Sequence, residues 1–413
     1  MKRNFASLIG PGLMYAGAAI GVSHLVQSTR AGADFGFELM WILLAANLLK
    51  FPFFEIGSRY VLATGKNLID AYFDAGKWIL ILFFIMTLVT MFPIQAALTV
   101  VTAGLANNIF DTGLTTTTMS ILLVLITMLI IIIGRFKLLD KLIKVVIILL
   151  TLSTFVAVIS ALNIQTVQNF SGNEFDWLNK KHIFFLIAFI GWMPAPIDIV
   201  VWTSLWSQSK FGSWKEQPSM KEVLLEFRTS YFGTMIVAAS FLALGALVMH
   251  SSEEVLSPNG AVFAGQLIGL YTSTIGQWAY PIIAIAALTT MVSTTLTVTD
   301  AYPRTLRHSM QLLFNKGFVV SDRKIYIFWI IVLSIGVILL ISYSGSSMRV
   351  MVDLATSISI VTAPILALLN YKVITSSKVG KKYQPALYLR IWSWIGIIFL
   401  SLFTLFYLCW LAI

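Results

Sequence analysis

The chain has 413 residues, of which 58% are hydrophobic and 11% are charged, and its mean hydropathy is +0.88. Soluble domains carry roughly 25% charged residues, so this composition excludes a protein whose surface faces water. The formal net charge of +10 would indicate nucleic-acid binding only if the basic residues clustered on one soluble face. Because no polar stretch is long enough to form a soluble domain, we predict a single domain over 1–413 that lies in a lipid bilayer and binds no nucleic acid.

A helical crossing of the bilayer takes about 20 apolar residues, and the sequence offers such segments along its whole length. We predict eleven spans, at 8–29, 38–63, 78–104, 115–134, 139–163, 182–206, 226–250, 277–298, 325–343, 348–371 and 386–412. The shorter apolar segment at 260–272 ends in polar turns and is typical of an interfacial helix. Met1, Lys2 and Arg3 resemble the start of a signal peptide, but we interpret the apolar run that follows as the first span.

The basic residues support this set of spans. Lys50 lies within a span, and the segments on one side of the membrane hold only Arg30, Lys180, Lys181 and Arg349 of the 28 Lys and Arg residues. All the others fall on the opposite side, which the positive-inside rule assigns to the cytoplasm. We therefore predict a multi-pass protein of the inner membrane with a cytoplasmic N-terminus and an external C-terminus.

The sequence lacks the patterns of catalytic chemistry. The one cysteine, Cys409, cannot form an intrachain disulfide or a cysteine-based metal cluster. The spans contain no nucleophile–base constellation and no metal-hydrolase motif. We predict that the chain is not an enzyme and uses no cofactor.

Eleven spans can be divided into two halves of five plus one further helix. The first half would cover 1–163, the second 182–371, and the extra helix 386–412. An odd number of spans in each half forces the second half to insert with inverted orientation, as in LeuT-like transporters, which break the first helix of each half. The sequence therefore predicts an all-α inverted-repeat protein with breaks in helices 1 and 6.

Both breaks have a signature in the sequence. Span 1 concentrates glycine at Gly10, Gly12, Gly17 and Gly21, and each interior glycine costs a helix roughly 1 kcal/mol relative to alanine. Span 6 contains Met193-Pro194-Ala195-Pro196, where two prolines remove amide donors and clash with preceding carbonyls. Unwound backbone persists inside a membrane only where it lines a cavity or is buried in protein. Close helix packing at these small residues is the alternative explanation.

Several motifs resemble those of the NRAMP (natural resistance-associated macrophage protein-like) family of divalent-metal transporters. They are Gly10-Pro11-Gly12, Ala31-Gly32-Ala33, Asn47-Leu48, Ala63 to Leu68, Gly134 to Lys144, and Met193-Pro194. The resemblance covers spans 1–6 well and spans 7–11 mainly by hydropathy. It implies a LeuT-like fold, alternating access and a substrate site between helices 1 and 6 at the bilayer midplane.

The chain also departs from the family pattern. Where the family has Asp-Pro-Gly-Asn in helix 1, this sequence has Gly21-Val22-Ser23-His24, so the metal-binding carboxylate is absent. The family's methionine ligand in helix 6 corresponds to Met193, but Ala195 replaces the histidine that follows the proline. The acidic proton-pathway residues of helix 3 have no counterpart within 78–104.

The residues around the two breaks are the candidates for substrate binding. They are Gly21, Ser23, His24, Ile190, Met193, Ala195, Asp198 and, from the hydroxyl-rich span 10, Thr356. His24 and Met193 are the candidate metal ligands, since imidazole and thioether suit transition metals. Asp198 is a candidate for binding a coupling cation or proton, or for capping the helix after Pro196.

These residues leave three functions open. The first is an NRAMP-like secondary transporter that moves a metal cation, as a monomer, through a site without the usual carboxylate. The second is the same fold carrying a small organic or anionic solute, because half-helix N-termini suit a carboxylate. The third is a sensor that does not transport.

Overall fold

The computed structural model describes residues 10–134, 137–164, 174–213, 217–250, 256–314, 321–344 and 347–412. These residues form fifteen α-helices. They are α1 (Pro11–Ala19), α2 (Thr29–Phe35), α3 (Met40–Thr64), α4 (Leu68–Ala75), α5 (Lys77–Phe110), α6 (Thr116–Ile133), α7 (Lys137–Ile164), α8 (Lys180–Trp192), α9 (Ile199–Gly212), α10 (Met220–Val248), α11 (Gly260–Ile275), α12 (Tyr280–Leu313), α13 (Asp322–Ser344), α14 (Met348–Ile374) and α15 (Leu387–Ala412).

The helices agree with the predicted spans. Within the described residues, eight helices are long and apolar enough to cross a membrane: α3, α5, α6, α10, α12, α13, α14 and α15. The predicted fifth span corresponds to α7, which contains the apolar stretch Ile148–Asn163. The first and sixth spans are each divided into two shorter helices, and residues 8 and 9 of the predicted first span lie outside the described residues.

The first helix is interrupted in its middle. α1 ends at Ala19, a π-helical segment runs from Ser23 to Ser28, and α2 follows directly. The sixth helix is interrupted between α8 and α9, where Met193 to Asp198 are not helical and the Met193–Pro194 bond is cis. π-Helical turns within helices are frequent at functional sites, so both predicted breaks are present and one adjoins such a turn.

The segment predicted as an interfacial helix forms α11, which has 16 residues. At 1.5 Å per residue it is about 24 Å long, which is too short for the hydrocarbon core. Its first residue lies against α5, because a Cβ added at Gly104 would be 2.4 Å from the carbonyl carbon of Gly260. α11 is therefore held close to the bundle by a glycine contact.

A buried carboxylate fixes the start of the first helix. Glu226, on α10, is 5% exposed and accepts hydrogen bonds from the backbone N–H groups of Gly10 (3.0 Å) and Gly12 (2.9 Å). These N–H groups belong to the first turn, which has no partners within the helix. A Cβ at Gly12 would lie 2.8 Å from Glu226 Oε2. Glycine at this position therefore lets the carboxylate approach the positive end of α1.

Glycine also allows α2 and α10 to pack with their backbones in contact. A Cβ added at Gly32 would lie 1.9 Å from the carbonyl oxygen of Leu242, and one added at Gly245 would lie 2.4 Å from that of Thr29. Small residues allow such close approach between membrane helices. The second half of helix 1 is therefore seated on α10 by two reciprocal glycine contacts.

We expect Gly32→Ala to lower the free energy of unfolding by about 1–3 kcal/mol, because the added methyl overlaps the Leu242 carbonyl. The matched control is Gly233→Ala on α10, where a Cβ would meet nothing within 4 Å. The control should be neutral or stabilising by up to ~1 kcal/mol, since alanine favours the helix. Thermal unfolding in detergent measures both variants, and equal melting temperatures would contradict the close contact.

Candidate functional site

The two breaks face each other, and side chains from both sides satisfy the backbone groups that the breaks release. Ser23 Oγ lies 2.9 Å from the carbonyl oxygen of Ala19 and, across the gap, 3.2 Å from that of Pro194, and its single proton is donated to one acceptor at a time. Thr294, on α12, lies 3.2 Å from the carbonyl oxygen of Gly17 and 3.4 Å from that of Ile20. Hydroxyl groups therefore supply the hydrogen bonds that a continuous helix would have made.

His24 is fully buried and both of its ring nitrogens have protein partners. Nδ1 lies 2.8 Å from Ser23 Oγ, and Nε2 lies 3.1 Å from the carbonyl oxygen of Thr234 on α10. Because a carbonyl oxygen only accepts, the contact to Thr234 places the proton on Nε2 and leaves Nδ1 to accept from the serine. In this arrangement His24 joins the break to α10.

The other candidate metal ligands also have partners. Ser28 Oγ contacts Met193 Sδ at 3.8 Å. The carbonyl oxygen of Gly21 accepts from the amides of His24 (3.1 Å) and Leu25 (2.9 Å). Among the described residues, no group of three or more His, Cys, Asp or Glu side chains is arranged to hold a metal ion. The two candidate metal ligands, His24 and Met193, therefore each have a protein partner in this structure.

A buried lysine occupies the end of α8. Lys50, on α3, is 0% exposed, and its Nζ donates to the carbonyl oxygens of Ile190 (2.6 Å) and Gly191 (3.0 Å). The C-terminal end of a helix carries partial negative charge and unpaired carbonyls, so the ammonium is stabilised there. The carbonyl oxygen of Ile190, one of the candidate substrate-binding residues, thus already accepts a hydrogen bond from within the protein.

A cavity of about 30 Å³ lies between the breaks. Ser23 and Ala195 line it, as predicted, whereas His24, Met193 and Asp198 do not. Its remaining lining residues are Ala18, Ala19, Val22, Ile94, Leu98, Trp192, Pro196, Ile199, Trp202, Thr294 and Val298. The cavity has room for about two water molecules, and its wall is apolar apart from hydroxyl and indole groups.

Asp198 lies at the start of α9 and is buried. Tyr302, on α12, donates to Asp198 Oδ2 at 3.0 Å, and Oδ1 has no hydrogen-bond partner among the described residues. The Asp198 side chain does not cap its own helix. Tyr302 in turn packs edge-on against Trp202 with ring centroids 4.9 Å apart. The free carboxylate oxygen is therefore close to the cavity wall, one residue layer behind Trp202.

Span 10 approaches the break through its backbone. A Cβ at Gly191 would lie 2.5 Å from the carbonyl oxygen of Thr356, whose hydroxyl bonds within its own helix to Val352 at 2.8 Å. Trp192 Nε1 donates to Ser359 Oγ at 2.8 Å. The hydroxyl that holds the cavity wall in place is therefore Ser359, whereas the predicted Thr356 contributes a close backbone contact.

Sequence reasoning did not place Lys50 at the break. The available signal was a lysine inside a span, which must find a partner among buried groups. Glu55, the nearest acidic residue along α3, binds Arg59 and Arg228 instead. Because Glu55 is already paired, the carbonyls left free at the end of α8 by the break in helix 6 are the remaining partners for Lys50.

We expect Lys50→Met to destabilise the protein by about 1.5–3 kcal/mol, because two carbonyls at the end of α8 would lose charge-assisted hydrogen bonds. The control is Lys77→Met, which removes an exposed lysine at the start of α5. Melting temperatures of the purified variants measure the difference. A Lys50→Met protein as stable as the control would show that the lysine does not hold the break.

Comparisons with known proteins agree with this architecture. The chain matches the family model described as natural resistance-associated macrophage protein-like over residues 12–410. An uncharacterised protein of Pasteurella multocida is 34% identical over 410 residues, covering 98% of this chain and 92% of that protein. A divalent metal cation transporter MntH of Chromohalobacter salexigens is 35% identical over 65 residues, which are 16% of this chain and 15% of that protein.

Solved structures show the same fold. A mutant manganese transporter of Eremococcus coleocola matches with a TM-score of 0.72 at 14% identity, covering 98% of this chain and 87% of that one. MhsT in complex with L-phenylalanine matches with a TM-score of 0.61 at 14% identity, covering 95% and 98%. The predicted fold class, a LeuT-like inverted repeat of five plus five helices with an eleventh helix, is confirmed. Because the family model covers nearly the whole sequence, the chain belongs to the natural resistance-associated macrophage protein-like family.

Proposed function

We propose that this protein is a secondary transporter that works by alternating access and binds its substrate between the breaks of helices 1 and 6. The observation that carries the proposal is the cavity between two interrupted helices, lined by residues of both. Discontinuous helices at the midplane form the substrate sites of inverted-repeat transporters. Rocking of one group of helices around such a site opens it to each side in turn.

Family membership supports a metal cation as the first candidate substrate. The relatives in Chromohalobacter and Eremococcus are named as metal cation and manganese transporters. In this chain, His24 and Met193 would be the side-chain ligands, with carbonyls of Gly21 and Ile190. Each of these atoms would have to exchange its present protein partner for the metal, and no carboxylate would compensate the ionic charge.

The cavity itself favours the second candidate, a small organic or anionic solute. No charged side chain lines it, and the ammonium group of Lys50 occupies carbonyls at the end of α8. A protonated Lys50 beside the site would disfavour a divalent cation and favour an anion or a neutral molecule. Ser23, Trp192 and Thr294 are the polar groups on this wall, and they too would have to exchange their present protein partners to bind a solute.

The remaining features of the proposal concern the membrane. The distribution of basic residues supports a cytoplasmic N-terminus and an external C-terminus in an inner membrane. The two repeats are 1–163 and 182–371, 386–412 is the additional helix, and one chain forms the transport unit. The substrate-contacting positions proposed from sequence are Gly21, Ser23, His24, Ile190, Met193, Ala195, Asp198 and Thr356.

Counterflow in proteoliposomes tests the transport proposal. Vesicles preloaded with unlabelled substrate should accumulate labelled substrate transiently and saturably, which an alternating-access carrier does and an open pore does not. Mn²⁺, Fe²⁺, amino acids and small organic acids are assayed in parallel. Absence of saturable counterflow for the whole set would contradict the proposal and favour the sensor.

Substitution of the two candidate ligands separates the substrate classes. If the substrate is a metal cation, His24→Ala combined with Met193→Ala should reduce Mn²⁺ uptake at least tenfold, since losing two ligands costs more than about 1.4 kcal/mol of binding. His250→Ala, a histidine that lies away from the breaks against Ala33, is the control. Metal uptake that persists in the double variant would exclude these ligands.

A further inference from the structure

A second cavity, of about 490 Å³, opens at the end of the bundle where α8 and α14 begin. Its charged lining residues are Arg30, Lys180, Lys181, Arg349 and Asp353. The four basic residues are the same four that the spans place on the predicted external side. Positive charge is disfavoured on that side, so its concentration around one cavity calls for an explanation other than topology.

The basic residues also oppose the local helix electrostatics. Lys180 and Lys181 lie in the first turn of α8 and Arg349 in the first turn of α14, and neither turn contains an acidic residue. A helix N-terminus carries partial positive charge, so a cation there is destabilising by roughly the amount that an anion would be stabilising. Violations of a local rule are expected mainly at functional sites. Two helix ends and three side chains thus add positive potential to the same cavity.

Arg30 contributes a buried guanidinium with unused donors. It is 5% exposed, lies over the Phe185 ring at 4.8 Å, and donates through Nη1 to Gln27 (3.2 Å) and Asp353 (3.1 Å). Within the described residues, its Nε and Nη2 groups have no hydrogen-bond partner. A guanidinium presents five N–H donors in a fork that suits carboxylates and phosphates. The remaining donors are therefore available to a ligand in the cavity.

The nearby carboxylates do not neutralise these charges. Asp353 pairs with Arg30, and Asp34 lies within electrostatic range of Arg30 and Arg349. Among the described residues, Lys181 and Arg349 form no ion pair with a carboxylate, and Lys180 stacks over Trp410 at 5.9 Å. Positive charge is in excess in a concave site, where fields are focused.

We propose that this cavity is an anion-binding vestibule that collects a small carboxylate-bearing solute before it reaches the central site. This inference rests on the proposed transport function, and it narrows the substrate to an anion. The vestibule adjoins the two helices that carry the breaks. Arg30 lies on α2, and Lys180 begins α8, whose 13 residues span about 20 Å and end at Trp192 in the wall of the central cavity. The phosphate group of an anionic lipid shares this chemistry, so the experiment separates the two sources.

A single-cysteine reporter measures the potential in the cavity directly. Cys409, the one native cysteine, is replaced by serine in the full-length chain, and Phe184→Cys or, as a second reporter, Trp410→Cys places a thiol on the cavity wall. Each protein is reconstituted in phosphatidylcholine nanodiscs. Separate samples of the thiol are then reacted with two methanethiosulfonate reagents, the anionic sulfonatoethyl compound and the cationic trimethylammonioethyl compound. Rates are normalised to those for a free thiol in solution.

We expect the anionic reagent to be favoured at least tenfold over the cationic one after normalisation. Lys181→Gln and Arg349→Gln should each reduce this ratio about threefold, which is the effect of one screened charge several ångströms away. Lys381→Gln, which removes an exposed lysine on the predicted cytoplasmic side, should leave it unchanged. A normalised ratio at or below one, or one insensitive to both vestibule substitutions, would overturn the proposal.

Protection from modification identifies the source of the anion. Acetate, succinate, citrate and inorganic phosphate are added separately, and saturable protection by a carboxylate supports the proposal. Protection only by phosphatidylglycerol in the nanodisc, or by none of the free anions, would overturn it. These measurements do not require transport. A positive vestibule without counterflow would therefore refute the transport function alone, whereas counterflow without a positive vestibule would refute this inference alone.

Discussion

The backbone groups released at the two helix breaks have to be satisfied inside a membrane, where bulk water does not reach them. The residues between α1 and α2 and between α8 and α9 both leave carbonyls without helical partners. Ser23 and Thr294 serve the first break, and Lys50 serves the second. These side chains come from α3, α12 and the first break itself, so helices around the breaks supply the missing hydrogen bonds.

The same requirement limits the chemistry of the central site. A side chain that hydrogen-bonds to the backbone groups of a break can bind a substrate only after it loses that hydrogen bond. His24 is bonded on both ring nitrogens, and the carbonyl of Ile190 is bonded to an ammonium group. The scaffold of the family is thus retained with a buried lysine at the helix end and no carboxylate on the cavity wall. If the substrate is an anion, its charge would be recognised in the second cavity, around Arg30, and not at the breaks.

The opposite end of the bundle is tied together by a buried ion network. Glu55 on α3 accepts from Arg59 of the same helix and from Arg228 of α10 at 2.6 Å, and Arg59 reaches the carbonyl of Tyr383 at 3.2 Å. Glu226 fixes the start of α1 to the same α10. Removing one partner of a buried ion pair leaves an uncompensated charge, so loss of a partner of Glu55 would destabilise the contact between α3 and α10 at this end. The end where α8 and α14 begin, by contrast, holds an open cavity in which Lys181 and Arg349 form no ion pair among the described residues.

The sequence by itself determined the class, the spans and the location of the breaks. Composition required a membrane, the spacing of apolar segments and basic residues fixed eleven crossings, and Gly21 and Pro194 marked where helices cannot continue. These are local or periodic properties, so they can be predicted without knowing which residues meet. Tertiary structure alone decided the partners: His24 faces Thr234, Lys50 lies against Ile190, and four basic residues from three distant segments of the chain surround one cavity. Such encounters depend on how helices pack across hundreds of residues, and no spacing in the sequence encodes them.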